Sequence, residues 1–203
     1  MLKLIQIFLS ISLLILTSCT HYKPIGEKVA NEKSIYSSPY FNEIDGEFLF
    51  DAKMQVFGND LNGILVIKTI DENKKRLALI SDFGNTLLDF EFVNDEVNVI
   101  YIMDDLNKKL VIQMLENYFQ LIIHPSFTIK KTYLAEEGKT YISKLQGKRI
   151  FLYVNKEDQL VYLKQSSIFR DKVGVYFYAK STQIETIQFE SFELPIKINL
   201  IKR

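Results

Sequence analysis

The chain has 203 residues, with 25 Lys plus Arg against 25 Asp plus Glu, for a formal net charge of zero. That balance excludes the basic surface on which nucleic-acid binding rests. A single cysteine excludes an internal disulfide, so the 47% hydrophobic content must supply the core of one domain. With 15 Phe, 11 Tyr and no Trp, the aromatic inventory favours pleated β surfaces.

The chain opens Met1-Leu2-Lys3 and then runs apolar from Leu4 to Leu16. This stretch is shorter than the roughly 20 residues of a membrane span and suits a signal-peptide core. It leads into Leu16-Thr17-Ser18-Cys19, which resembles a bacterial lipobox: an aliphatic residue, two smaller ones and the cysteine that receives lipid. An ordinary secretion signal and an uncleaved anchor helix are the alternatives. The lipobox reading divides the chain into a signal peptide (1–18), a lipidated Cys19 with its tether (19–45) and a single β-rich domain (46–203). Lipid on Cys19 would make the membrane a partner, with more than one acyl chain needed for stable anchoring. Thr20 stands where Asp marks inner-membrane retention in enterobacterial lipoproteins. By that resemblance the destination is the outer membrane of a bacterial envelope, facing the periplasm. The tether is read from Pro24, Gly26, Ser37, Ser38, Pro39 and scattered charges without an apolar period, with Tyr36, Tyr40 and Phe41 near its end available to dock on the domain.

From Gly46 the pattern alternates. Phe48, Phe50, Ala52, Met54 and Val56 point one way, and Glu47, Asp51, Lys53 and Gln55 the other, which is the period of a half-buried strand. Further strands are expected over 61–70, 76–83, 86–93 and 97–103, joined by the polar turns Gly58-Asn59-Asp60, Asp71-Glu72-Asn73-Lys74-Lys75, Gly84-Asn85 and Asn94-Asp95-Glu96, as a five-stranded meander. The period then changes. Leu106, Leu110, Val111, Met114, Leu115, Tyr118, Phe119 and Ile122 recur at three- and four-residue spacing, as on one face of a helix. Asp104 and Asp105 suit its N-terminal cap, and His124-Pro125 its end. Strands resume over 127–133, 139–145, 148–155, 159–165, 172–180, 183–192 and 196–202. The fold class is therefore mainly β with one substantial helix (α+β). The expected architecture is a large curved antiparallel sheet, a half-barrel or unclosed barrel, with the helix on its concave side.

No catalytic constellation accompanies this pattern. His21 and His124 lack metal-ligand spacing, and neither Asp104-Asp105 nor Glu136-Glu137 supplies two carboxylates facing each other across a cleft. His124 reads as a partner for the last helix carbonyls, and Glu136-Glu137 as a solvated loop. Ser81-Asp82-Phe83-Gly84 contains a kinase-like triplet without the companion motifs and reads as a β-turn. The expectation is a non-enzymatic protein with no cofactor and no metal.

Several strands are apolar on both faces: Ile64-Leu65-Val66-Ile67, Leu77-Ala78-Leu79-Ile80 and Ile150-Phe151-Leu152-Tyr153-Val154. Either two layers pack into a solid core or one face lines an acyl-chain cavity, and alternation alone leaves open which face is concave. The order of elements bears on this. Gly63-Ile64-Leu65-Val66-Ile67, then Asp82-Phe83-Gly84-Asn85-Thr86-Leu87-Leu88-Asp89-Phe90, then the amphipathic helix and Leu194–Ile198, resembles the LolA/LolB-type lipoprotein-localisation factors. The resemblance implies an unclosed, apolar-lined barrel plugged by helix that receives acyl chains. In that family the membrane-inserting member exposes an apolar residue on a strand-connecting loop. The comparable hairpin is taken here as Asp71–Lys75, which is wholly polar, and the resemblance departs there. The expected function is binding of a lipid or lipoprotein acyl chain in a curved-sheet cavity. Its walls would be Phe48, Phe50, Met54, Leu65, Ile67, Leu79, Phe90 and Phe92, with Leu110, Met114 and Phe119 as a gate. The alternative is an accessory lipoprotein that binds another envelope protein through its sheet surface or edge.

Overall fold

The computed structural model describes Pro24 and residues 26–203, except Asp95, Ile168, Phe169, Ser181 and Thr182. The signal segment, Cys19, Thr20 and His21 lie outside the described residues, as does Asp95 of the expected Asn94–Glu96 turn. Fifteen strands and one α-helix occur among the described residues. Two short strands come first, β1 (Glu27–Val29) and β2 (Ile35–Ser37). The meander follows as β3 (Glu47–Val56), β4 (Asn59–Thr69), β5 (Lys74–Ser81), β6 (Thr86–Val93) and β7 (Glu96–Ile102). The helix α1 spans Lys109–Ile123. After it come β8 (Ser126–Thr128), β9 (Lys131–Ala135), β10 (Gly138–Leu145), β11 (Lys148–Val154), β12 (Leu160–Ser166), β13 (Asp171–Lys180), β14 (Gln183–Ser191) and β15 (Ile196–Lys202).

Thirteen of these strands form one antiparallel sheet in the order β1-β9-β10-β11-β12-β13-β14-β15-β3-β4-β5-β6-β7, and it does not close on itself. The two halves of the chain join where β15 pairs with β3, Ile198 opposite Met54. Two-residue turns with positive φ at both positions, Phe57-Gly58 and Gln146-Gly147, match the right-handed twist of their hairpins.

The curl can be read from the helix contacts. Gln146, in the β10–β11 turn, donates to Gln120 at 2.7 Å, while Lys75 on β5 donates to the Ile123 carbonyl at 2.9 Å. In a flat sheet, β11 and β5 would stand seven strand spacings apart, about 33 Å. Gln120 and Ile123 lie within one helical turn, about 4.5 Å along the axis. The sheet must therefore wrap around α1, which occupies the concave side as expected. The helix also reaches a strand near one edge and the middle of the sheet: Phe119 packs on Phe90 of β6 with ring centroids 6.1 Å apart, and Tyr118 on Phe189 of β14 at 4.5 Å.

Three sequence readings are corrected. Asp104 and Asp105 do not cap α1. They lie in a separate 3₁₀ turn, Asp104–Leu106, closed by the Asn107 N–H on the Asp104 carbonyl, and α1 starts after Lys108 with no side-chain cap. The strand expected over 127–133 is two strands, β8 and β9, which lie in different sheets. The tether expected over 19–45 is, across its described part, an element of the fold. β1 pairs with β9, β2 pairs with β8, and Tyr36, Tyr40 and Phe41 are buried in the core. An aperiodic stretch hides such a role because single side chains, rather than a face, do the burying.

The helix surface generates a contrast. Phe119 is fully buried, whereas Leu110 is 63% exposed. Phe119→Ala is expected to cost about 3–5 kcal/mol through cavity formation. Leu110→Ala should stay within about 0.5 kcal/mol. Urea unfolding of both variants checks this pair, and equal losses would mean that α1 is rotated about its axis.

Candidate binding site

The inner face of the sheet is set by alternation. On β3 the inward residues are Phe50, Ala52, Met54 and Val56. On β4 they are Leu65 and Ile67, on β5 Leu77 and Leu79, on β6 Leu88, Phe90 and Phe92, and on β11 Ile150, Leu152 and Val154, all buried. The doubly apolar strands are thereby resolved. Ile64, Val66, Ala78 and Ile80 lie half-buried on the outer face. Phe151 is also outside, under the Lys164 ammonium at 5.5 Å from its ring and beside the tilted pair Tyr153 and Tyr162.

The expected wall residues Phe50, Met54, Leu65, Ile67, Leu79, Phe90 and Phe92 converge on this inner face together with Met114 and Phe119 of α1, and all are buried. Phe48 is half-buried at the edge of the same cluster. Leu110 is not brought to it; the first turn of the helix points that side chain to solvent.

Two inserts cover the face. One is α1. The other is the segment 35–45, a strap that sequence reasoning treated as tether. Tyr36 tilts against Tyr141 of β10 with centroids 5.5 Å apart, and Tyr40 stacks on Phe177 of β13 at 5.2 Å. Phe41 meets Phe48 and Phe50 of β3 edge-on, at 5.0 and 6.2 Å. Thr69 of β4 donates its hydroxyl to the Phe41 carbonyl at 2.8 Å, and Lys75 of β5 reaches the Asn42 side chain at 3.4 Å. The strap thus crosses the inner face from β10 to β5. The signal in the sequence was three aromatics within six residues of an otherwise polar stretch.

The buried hydroxyls find partners at the β11–β12 turn. Tyr40 donates to the Leu160 carbonyl at 2.8 Å, Tyr36 to the Asp158 carbonyl at 3.1 Å, and Tyr141 to the Asp158 carboxylate at 3.0 Å. Burial raises all three phenols, Tyr40 to about 12. Lys75, expected in a polar loop, is instead an inward residue of β5 and 5% exposed. Burial lowers its ammonium to about 8. It stands at a cleft of about 290 Å³ shared with Phe92, Gln120, His124 and Ser126. The last helix carbonyl, that of Ile123, accepts from Lys75. The His124 Nδ1 accepts the Ser126 N–H at 3.3 Å, and its ring lies against Phe127.

The end of the sheet remote from the strap carries a feature that the kinase-like triplet concealed. Phe83, at the tip of the β5–β6 turn, is 93% exposed. Phe57 and Phe192 lie at the same end in the β3–β4 and β14–β15 connections, partly exposed and joined through the Phe57 N–H on the Pro195 carbonyl. An exposed apolar side chain thus stands on the β5–β6 turn, whereas the hairpin 71–75 is polar. Among the described residues no group of acidic, His and Cys side chains is arranged to hold a metal ion.

No protein-family profile matches the chain, and no curated protein matches its sequence. Similarity lies in the fold. The LolA superfamily protein NE2245 from Nitrosomonas europaea superposes with a TM-score of 0.51 at 7% identity, over 82% of this chain and 88% of that one. A DUF1329 family protein from Desulfovibrio piger gives a TM-score of 0.40 at 9% identity, over 77% of this chain and 82% of that one. The chain thus has a LolA-like fold: a large unclosed antiparallel sheet wrapped around one helix.

Lys75 gives the site a pH signature. Folded, it releases its proton near pH 8, against about 10.5 when unfolded. Between those values the unfolded chain binds more protons, so stability rises with pH across the window. Relative to Lys75→Met, the natural protein is expected to gain about 1–2 kcal/mol between pH 7 and 9.5, discounted for residual screening. Urea midpoints measured below the range where tyrosines ionise check this, and parallel profiles would mean that the ammonium is solvated.

Proposed function

We propose that this is a lipid-anchored, periplasm-facing envelope protein that binds a lipid or lipoprotein acyl chain against the inner face of its sheet without catalysing a reaction. The observation that carries the reading is the cover of that face. A continuous apolar surface is closed by one helix and one strap of chain, with only the two-stranded β2–β8 pair beside them, rather than by a second large sheet. Such inserts can shift to admit an acyl chain, whose burial contributes about 0.8 kcal/mol per CH₂ without directional contacts. In this reading residues 1–18 are removed as a signal peptide, Cys19 carries the lipid, and the outer membrane is the destination. Phe83 is its membrane-contacting residue in this reading, supported by the exposure of Phe57 and Phe192 at the same end of the sheet.

A second reading has its own support. The sheet ends on one side at β7, where Val99, Ile100 and Tyr101 are exposed and the central residues carry no charge. The other edge, β1, is three residues long and bears Glu27 and Lys28. Unguarded edges invite a further strand, so β7 suits an envelope protein partner, although its register shift opposite Asp89 and Phe90 limits how far pairing can run.

All described strands, the helix and the core lie within residues 24–203, so a chain starting at Thr20 retains every described element. Native mass spectrometry of that chain, purified from bacteria without detergent, is expected to show near-stoichiometric phospholipid or fatty acid. A bare mass that persists after incubation with lipid, together with a cross-linked envelope protein at β7, would transfer the function to the second reading. For Phe83, co-sedimentation with phospholipid vesicles should fall at least fivefold in Phe83→Glu while the unfolding midpoint stays unchanged. Undiminished sedimentation would remove Phe83 from the membrane contact.

A further inference from the structure

The strap offers more than cover, because its conformation is costly and its pairing is slight. Phe41, a bulky residue, is held at φ 58°, in the left-handed region that disfavours such side chains. Asp45, at φ 59°, is the second left-handed residue before β3 begins, so a short turn with two unusual backbone conformations joins the strap to the sheet. Of residues 35–45, only Ile35–Ser37 pair with another strand, and that strand, β8, lies outside the main sheet. With so little ladder pairing, the strap is held mainly by its buried rings and by side-chain hydrogen bonds such as those at Tyr40 and the Phe41 carbonyl. The ring of Phe41 nevertheless reaches the Phe48–Phe50 wall, and Tyr40 lies flat on Phe177. The strap therefore fills an apolar trough with side chains whose backbone is held at a cost.

We propose that the trough now filled by Tyr40 and Phe41, walled by Phe48, Phe50 and Phe177, is the seat of a single acyl chain, and that the N-terminal strap is its displaceable occupant. This rests on the lipid-binding reading and specifies where the chain sits and what must leave. The exchange replaces aromatic rings with methylenes on walls that demand no hydrogen bond, so the trough need not change shape. Departure of Phe41 relieves its left-handed backbone. It also frees Lys75 from Asn42 while leaving the Ile123 carbonyl bound to it, so α1 keeps its C-terminal partner when the strap swings. The strap, rather than the helix residues Leu110, Met114 and Phe119, is then the gate.

The test locks the strap in place. Ser37 and Ser126 face each other across β2 and β8, and the Ser38 N–H on the Pro125 carbonyl at 2.8 Å makes them a non-hydrogen-bonded pair, the close-approach geometry of antiparallel strands that a disulfide can bridge. In the chain starting at Thr20, the double variant Ser37→Cys/Ser126→Cys holds the only thiols. Binding of a dansyl-labelled long-chain fatty acid is expected to be at least tenfold weaker in the oxidised form and to return on reduction. Phe41→Gly, which removes the ring and accepts the left-handed backbone, should bind several-fold more tightly than the natural sequence. Equal affinity of the oxidised and reduced forms would overturn displacement of the strap and leave lipid binding standing. No binding by the natural sequence, the reduced pair or Phe41→Gly would overturn both.

Discussion

The structure depends on the need to cover one largely apolar face of a very long sheet. Thirteen strands with alternating inward residues present far more hydrocarbon than a flat arrangement could hide behind one helix of 15 residues, about 22 Å long. Twist and curl reduce the area to be covered by bringing distant strands to the same helix, which is why β5 and the β10–β11 turn meet α1 within one helical turn. What remains open is filled by the strap. The fold therefore has no second layer in the ordinary sense. It has a wrapped sheet with two unlike inserts, one regular and one extended.

Lys75 marks the place where sheet, helix and strap meet. A cation this deeply buried is costly unless its donors are used. Two partners are provided: the last carbonyl of α1, at the negative end of the helix dipole, and the Asn42 side chain of the strap. Helix end and strap are thus held by a single ammonium from β5. The same arrangement explains why α1 ends as it does: His124, extended before Pro125, leaves the Ile123 carbonyl to a lysine that sequence proximity could not have suggested.

The sheet was legible in the sequence wherever burial follows a period. The alternation of Phe48 to Val56 and of Ile196 to Leu200, and the three- and four-residue spacing from Val111 to Ile122, gave strands and helix that differ from the observed ones by a few residues at their ends. The inward residues of the sheet followed from the same alternation; of what fills that face, the three docking aromatics were legible, but not the path of the strap that carries them. Tyr36, Tyr40 and Phe41 act as individual plugs, and plugs have no period. Lys75 stands among polar neighbours in the sequence, although alternation with Leu77 and Leu79 places it inward. Ser81–Gly84 forms the β-turn that its residues indicate, and a phenylalanine between Asp and Gly at a hairpin tip has nowhere to be buried.

The geometry of the two ends constrains how such a molecule can sit on a membrane. Gly26 lies beside Leu134 at the end of the sheet that carries the β11–β12 turn, whereas Phe83 is at the opposite end of β5 from Lys75. A strand of ten residues such as β3 sets that separation at about 33 Å. Seven residues lead from Cys19 to Gly26 and span at most about 25 Å. With lipid on Cys19, an upright domain cannot place Phe83 in the bilayer that holds its own anchor. It must either lie along the surface or present Phe83 away from that bilayer. If Cys19 carries lipid, β1 and the strap that follows it are the described elements nearest the anchor along the chain.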